Sequence, residues 1–592
     1  MQPNHSHNPF HGILRVTTWL TLCVLIGTLV TPQLSAREPE RVPLERVVYG
    51  THGVVVAAEP HAVRIGIEVL QKGGNAVDAA VAVGLAMAVT YPQAGNLGGG
   101  GFLIVVMPVK GKTPDIKALD FRETAPKRAH RDMYLDENGH VVPERSLTGY
   151  LAVGVPGTVR GLWEVHQRYG SLPWKALVRP AVDLAKRGFA VPSSLYRSLL
   201  ADRERLLRDP EFRRIFYVND RPRRFIRQPE LARTLERIAK YGADGFYRGP
   251  VARALERAMT ANGGLIDRHD LAAYRATWRE PIAFHVEPYV IATMPPPSAG
   301  GWTLAFTFRA MEPHRSPGVA WHSLLHVNLV TEIWKRVYAL RSHYLGDPDY
   351  VRMPPYLFDV NYQQKVGAAI QPFTVTPAKA LGFPATNTVP EGQHTTHYAI
   401  IDPAGAAVSV TYTLNSWFGA GVIAPGTGVI LNNEMDDFSA APGVPNQFGA
   451  VGSDANAIEP GKRMLSSMTP TIVLRQNRVW GVIGAPGGTR IPTAVYQVLE
   501  NLMIYRMTPD EAVRAPRFHH QWLPDRIDVE AWGIGGELVR ALKGLGYRVG
   551  SKRAIGRVYL IWREGDGFWG VADPRGPGVA AAVQFSASAP HP

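Results

Sequence analysis

Cysteine is almost missing from this chain of 592 residues, and the one present, Cys23, lies in the N-terminal stretch. There Arg15 precedes an apolar run, 19–30 (WLTLCVLIGTLV), and after Pro32 the residues Leu34-Ser35-Ala36 give a small-residue cleavage pattern. The run falls well short of the roughly 20 residues that span a bilayer, so it reads as a secretory signal. Residues 1–36 are therefore expected to be a signal peptide, and the expected location is the periplasm or outside the cell. If the segment were kept, it would serve as an anchor. From Arg37 onward the chain has no cysteine, which excludes a disulfide, a thiolate nucleophile and a cysteine-ligated zinc. An exported chain without disulfides has to draw its stability from the size of its core. A second long apolar run is also missing, so no stable membrane span is expected after signal removal.

Other absences narrow the chemistry. The sequence lacks the Gly-x-Ser-x-Gly elbow of many serine hydrolases and the His-Glu-x-x-His signature of zinc proteases. Its glycine-rich stretch, Gly95 to Gly101, lacks the lysine of a phosphate-cradling loop. Those glycines read instead as a place where two backbones approach closely. Neither a metal nor an organic cofactor is implied. Acidic residues are outnumbered, giving a formal net charge of +14. The densest basic stretch, Arg203 to Arg227, is interleaved with Glu204, Asp209 and Glu211 and reads as a solvated helical face. No nucleic-acid partner is expected.

What is present is a large globular chain, 45% apolar and 19% charged, with 58 glycines and 48 prolines. His61 to Lys72 has helical apolar spacing and stops at Gly73-Gly74. Asn75 can cap the next helix, Ala76 to Val89, whose apolar residues surround it on all sides and bury it. Strands are expected at Phe102–Met107, Thr395–Ile401, Ala407–Asn415, Val429–Leu431, Ile472–Leu474 and Val479–Ile483. Residues 150–280 read as mostly helical, and 360–394 as a surface linker. Helix-rich and strand-rich segments in one chain fit a layered α/β sandwich.

With thiol, serine-elbow and zinc chemistry unsupported, amide chemistry is left to an N-terminal nucleophile. A threonine freed at its own amide carries hydroxyl and amine together. The amine titrates near 7.7–8.0, so it can take the hydroxyl proton at neutral pH. Thr395 opens a strand after a loose linker, a position that an ordinary strand threonine also fills.

Several motifs stand in order: Asn96 to Gly101 (NLGGGG), Asp120 to Glu123 (DFRE), Thr395 to Tyr398 (TTHY), Tyr412 to Asn415 (YTLN), Asn432 to Phe438 (NNEMDDF), Leu465 to Met468 (LSSM) and Pro486-Gly487-Gly488. Together they resemble the gamma-glutamyltransferase family over nearly the whole mature chain. The resemblance implies a precursor that cuts itself before Thr395, giving a large chain, 37–394, and a small chain, 395–592. The two would stay together as a heterodimer with an N-terminal-nucleophile hydrolase αββα sandwich. Thr395 would attack the γ-glutamyl carbonyl and Thr413 would orient it. Gly487 and Gly488 would present N–H groups to the oxyanion. Arg122, Ser466 and Ser467 would bind the donor's carboxylate, and Glu434 and Asp437 its ammonium, with Asn415 assisting. The implied substrates are glutathione and other γ-glutamyl compounds, with water, amino acids or peptides as acceptors. His397 reads as structural. Residues 442–462 resemble a lid loop, with Phe448 where the family often carries tyrosine. Two alternatives remain open: a cephalosporin or glutaryl acylase of the same fold, and an uncleaved protein that only binds γ-glutamyl peptides.

Overall fold

The computed structural model describes residues 43–315, 319–382 and 395–584. The expected signal peptide and the bond before Thr395 lie outside the described residues. Two seven-stranded sheets dominate. In chain order their strands are β1 (Val47–Gly50), β2 (Val54–Ala57), β3 (Gly100–Met107), β4 (Asp115–Phe121), β5 (Thr277–Arg279), β6 (Ile282–Val286), β7 (Tyr289–Thr293), β8 (Thr395–Ile401), β9 (Ala407–Thr413), β10 (Thr471–Arg475), β11 (Arg478–Gly484), β12 (Tyr559–Glu564), β13 (Gly567–Ala572) and β14 (Val579–Ala582). The first sheet runs β14-β2-β8-β9-β3-β4-β5 and the second β1-β13-β12-β11-β10-β7-β6. Every pairing within them is antiparallel.

The sheets pack face to face through β8, β9 and β2 on one side and β11, β12 and β13 on the other. Helices α1 (Pro60–Gln71), α2 (Ala76–Thr90) and α3 (Thr158–Tyr169) cover the first sheet, and α4 (Trp174–Arg187) packs against α2. Helices α5 (Ala299–Met311) and α7 (Ile491–Met503) cover the second sheet, with α6 (Leu324–Tyr344) against α5. This is the αββα sandwich the sequence predicts. Every residue of β8, β9 and α2 is buried, as expected of elements covered on both sides.

Local chemistry sets the positions of these elements. Asn75 and Asp78 form a reciprocal capping box at the start of α2, a device that contributes about 1 kcal/mol. The same helix end is tied to the β8–β9 turn, where the Asp402 carboxylate accepts the Ala76 N–H at 2.9 Å. A Cβ at Gly99 would collide with the Thr413 carbonyl, so the glycine run does serve close backbone approach.

Some elements differ from the sequence reading. Arg203 to Arg227 is not one helical face; it holds the short helices Arg203–Leu206 and Pro210–Phe216 followed by two-residue strands. Within the expected linker, Val360–Ala368 is a helix capped by the Asp359 side chain and packed on α5. The expected strand at Val429–Leu431 is only Val429–Ile430. Among the described residues no helix is long and apolar enough to cross a membrane.

Candidate active site

Antiparallel pairing brings the chemistry-bearing residues to one end of the sandwich. Thr395 starts β8 opposite Thr413, which ends β9, and Thr413 in turn pairs with Gly100 at the start of β3. Phe121 ends β4 opposite Gly101, so Arg122 follows at the same edge. In the second sheet, β10 begins just after Leu465 to Met468 and β11 ends just before Gly487-Gly488, and Thr471 pairs with Ile483. One cavity at this end is lined by Arg122, Thr395, Thr413, Asn415, Glu434, Asp437, Ser466, Ser467 and Gly488 together. Of the site residues expected from sequence, only Gly487 is not among the cavity-lining residues; it is the chain neighbour of Gly488.

Thr413 Oγ1 accepts the Asn415 N–H at 2.9 Å. Asn415 sits in the left-handed region with φ 73°, a conformation asparagine tolerates better than most residues. Its side chain donates to the Asn433 carbonyl at 3.1 Å. Asn432 beneath it is saturated, accepting from Gly154 and Glu434 N–H groups and donating to the Gly98 and Gly154 carbonyls. This network fixes the short 3-10 turn Glu434–Asp437.

Arg122 is fully buried, not the surface residue that an isolated arginine would suggest. Its two terminal nitrogens donate to Glu434 and Asp437, and its Nε donates to the Met464 carbonyl at 3.2 Å. Burial disfavours its charge, but the carboxylates of Glu434, Asp437 and Glu123 outweigh that and hold the guanidinium firmly protonated. Burial likewise raises the pKa of Glu434 and of Asp437, with Arg122 opposing the rise. Asp437 also accepts from Asn446 Nδ2 at 3.1 Å. Glu123 is buried, and among the described residues its two carboxylate oxygens have no hydrogen-bond partner; burial pushes it up to about 8.

Ser466 is anchored by backbone, its N–H donating to Pro297 O and its carbonyl accepting from Ala299. Ser467 Oγ accepts from Arg341 Nη2 at 3.1 Å. Gly487 and Gly488 have φ of 148° and 57° and lead through a 3-10 turn into α7. That places the start of α7, the positive end of the helix, beside the cavity. Phe448 from the expected lid covers Gly488, where an added Cβ would stand 2.8 Å from Phe448 Cδ1.

His397 shares the Thr395 face of β8 but lies between the sheets, with Nδ1 against Thr411 Oγ1 at 2.8 Å and its ring beside Gly484 and Tyr559. It does not line the cavity. Sequence reasoning missed Arg341, Asn446 and Asn456, which do. Arg341 carried a readable signal: it follows Val337 and Tyr338 at helical spacing, a charge on the buried face of α6.

The family model described as gamma-glutamyltranspeptidase matches residues 62–583. The chain belongs to this family. A glutathione hydrolase proenzyme of Escherichia coli (strain K12) is 43% identical over 534 residues, covering 89% of this chain and 91% of that protein. One from Pseudomonas aeruginosa is also 43% identical, covering 90% of this chain and 95% of its own length. Among solved structures, a cephalosporin acylase from Bacillus halodurans superimposes with a TM-score of 0.78 at 26% identity, covering 94% of this chain and all of that one. A Helicobacter pylori gamma-glutamyltranspeptidase chain gives 0.52 at 40% identity, covering 54% of this chain and 92% of its own. Membership of the gamma-glutamyltranspeptidase family and the sandwich architecture thus agree.

Proposed function

We propose that this chain is an exported, self-cutting gamma-glutamyltransferase and glutathione hydrolase, with Thr395 as nucleophile. One observation carries the reading. The hydroxyl that opens β8 faces Thr413 in a cavity that also holds a buried acidic pair, two arginines and two serines. An α-amino acid headgroup offers an ammonium and a carboxylate, and such a cavity meets both charges.

In this reading the chain is cut before Thr395 into 37–394 and 395–592. Thr395 Oγ attacks the γ-carbonyl of the donor while its proton passes to the freed α-amine. The oxygen of the tetrahedral intermediate takes hydrogen bonds from the N–H groups at Gly487 and Gly488. Losing one such donor costs about 3–4 kcal/mol of transition-state stabilisation. The leaving amine takes the proton, and the γ-glutamyl ester on Thr395 is then resolved by water or by the amine of an amino acid or peptide. Thr413 holds the nucleophile's edge of the sheet and, with Asn415, frames the donor. Glu434 and Asp437 receive the donor's ammonium. Arg122 binds its carboxylate with Ser466 and Ser467, and also keeps the acidic pair in place. The segment 442–462 covers the bound donor.

N-terminal sequencing of the smaller fragment tests nucleophile, cut and boundary together. A start at Thr395 and release of the aniline from a γ-glutamyl anilide are the expected results; a start elsewhere overturns the reading. The likeness to a cephalosporin acylase supports a second reading, acyl transfer from a glutaryl donor. That donor has no ammonium for Glu434 and Asp437, so equal rates on glutaryl and γ-glutamyl anilides would favour it.

A further inference from the structure

Among the described residues two buried arginines face the cavity, and of these Arg122 has its charge met by carboxylates. The other, Arg341, reaches in from the last turns of α6 with 6% exposure. Its Nη2 donates to Ser467 Oγ at 3.1 Å, and its Nε is buried with no hydrogen-bond partner among the described residues. Among the described residues no carboxylate stands within ion-pair distance of Arg341. Asp437 acts on it only at longer range and is itself held by Arg122 and Asn446. Burial pulls the Arg341 pKa down, with Tyr338 and Asp437 opposing. A buried guanidinium with an unspent donor is costly to keep unless an anion comes to it.

Ser467 points the same way. A hydroxyl has one proton to give and two lone pairs. The Ser467 oxygen accepts from Arg341 and its own proton is given to no group among the described residues, so the O–H remains for a ligand. A cation on its lone pair also makes it a better donor. Meanwhile each terminal nitrogen of Arg122 already gives a hydrogen bond to a carboxylate, one to Glu434 and one to Asp437. When a zwitterionic headgroup enters, its ammonium draws on that acidic pair, and beside Arg122 its carboxylate finds in Arg341 a positive charge that no ion pair has met.

We infer that Arg341 is a second carboxylate-reading residue of this site, which, with the Ser467 hydroxyl it holds, makes the enzyme selective for donors that keep a free α-carboxylate. This rests on the γ-glutamyl reading above and adds to it a specificity residue outside the sequence motifs.

The test compares kcat/KM for a γ-glutamyl anilide and for the γ-aminobutyryl anilide, which differs only by lacking the α-carboxylate. In Arg341→Met the preference for the first, taken as the ratio of the two values, falls at least tenfold, about 1.4 kcal/mol. Arg341→Lys restores part of it. Ser467→Ala lowers the same ratio with the arginine left in place, and adding it to Arg341→Met lowers the ratio little further. Should Arg341→Met fail to fold or mature, Arg341→Lys and Ser467→Ala still carry the comparison. Equal losses on both anilides would mean a purely structural arginine and overturn the inference. A wild-type enzyme with no preference for the α-carboxylate would instead sink the γ-glutamyl reading, and this inference with it.

Discussion

Thr395 and Thr413 stand directly opposite each other, in register, at the matching ends of β8 and β9. Thr413 Oγ1 accepts the Asn415 N–H and its carbonyl accepts from Asn96 Nδ2, each at 2.9 Å. Thr413, the cross-strand neighbour of Thr395, is thus fixed from two sides. Thr395→Ala is expected to leave one uncut chain on a denaturing gel, without activity. Thr413→Ala is expected to keep the fold but to slow both the cut and turnover about tenfold or more, the scale of one lost hydrogen bond of about 1–3 kcal/mol. Thr413→Ser, which keeps the hydroxyl, should recover most of both. A Thr413→Ala enzyme that cuts and turns over at wild-type rates would remove Thr413 from the site.

Arg122 is more deeply committed than a substrate fork alone. Its removal leaves Glu434 and Asp437 buried beside Glu123 without the cation that pairs with them. Breaking such a buried pair costs roughly 3–5 kcal/mol, less whatever the carboxyls regain by taking up protons. Arg122→Ala is therefore expected to raise KM for the donor and to lower the melting temperature together. Arg122→Lys, which keeps the charge but not the fork, should restore stability more than KM. Unchanged KM in Arg122→Ala would refute its place at the donor.

Asp436 makes the stability depend on pH. Burial pushes it up to about 7, against hydrogen bonds from the Ser146 hydroxyl and the Gln447 N–H. An unfolded aspartate titrates near 3.9. The contribution of this group is thus fully present below about pH 4 and is lost as pH rises through about 7. Asp436→Asn cannot ionise, so the melting temperature of the variant minus that of the wild type should grow from pH 5 to pH 8. A difference that stays flat over that range would show that Asp436 is ionised throughout. Glu123, pushed up to about 8, acts in the same direction in both proteins and cancels in the comparison.

Much of this arrangement is legible in the sequence, and the reasons differ by element. Strand Thr395–Ile401 and the start of α2 are read correctly because local signals, β-branched and aromatic residues in the strand and a capping Asn75 before the helix, agree with the fold. The residues of the site are found through short motifs. Their partners are not, because Arg122 meets Glu434 and Asp437 across more than 300 positions of chain, and no local pattern encodes such a pairing. Helix Val360–Ala368 is missed because its apolar spacing is weak. Packing on α5 and the buried Gln363, which donates to the Leu357 carbonyl at 2.6 Å, stabilise it instead.

His397 gives a prediction about rate, not stability alone. Burial holds its pKa down at about 3, so it is neutral throughout the range in which the enzyme would work. In the proposed mature enzyme the proton acceptor is the Thr395 amine, with an ordinary value of about 7.7–8.0. The fall of kcat/KM toward acid pH should follow that amine. His397→Gln is expected to lower the melting temperature, through loss of packing on Gly484 and Tyr559, without moving the apparent pKa of the acid limb. A limb that shifts in His397→Gln would make the histidine the base.

Gly488 and Phe448 form the contact where the proposed lid and the proposed oxyanion-binding turn meet. At Gly488 an added methyl would suffer twice, from a φ of 57° and from Phe448 Cδ1 at 2.8 Å. The first penalty is intrinsic, about 1–2 kcal/mol for an L residue in that region; the second depends on the aromatic ring. Gly488→Ala should therefore cut kcat by an order of magnitude or more, since the N–H groups of this turn are displaced. In a Phe448→Ala background the steric part is gone, so the same substitution should cost clearly less there than in the wild type. Measuring kcat for the four proteins of this cycle isolates the coupling. Strict additivity would mean that Phe448 does not rest on the turn when the enzyme works, and that the lid stands open during the chemical step.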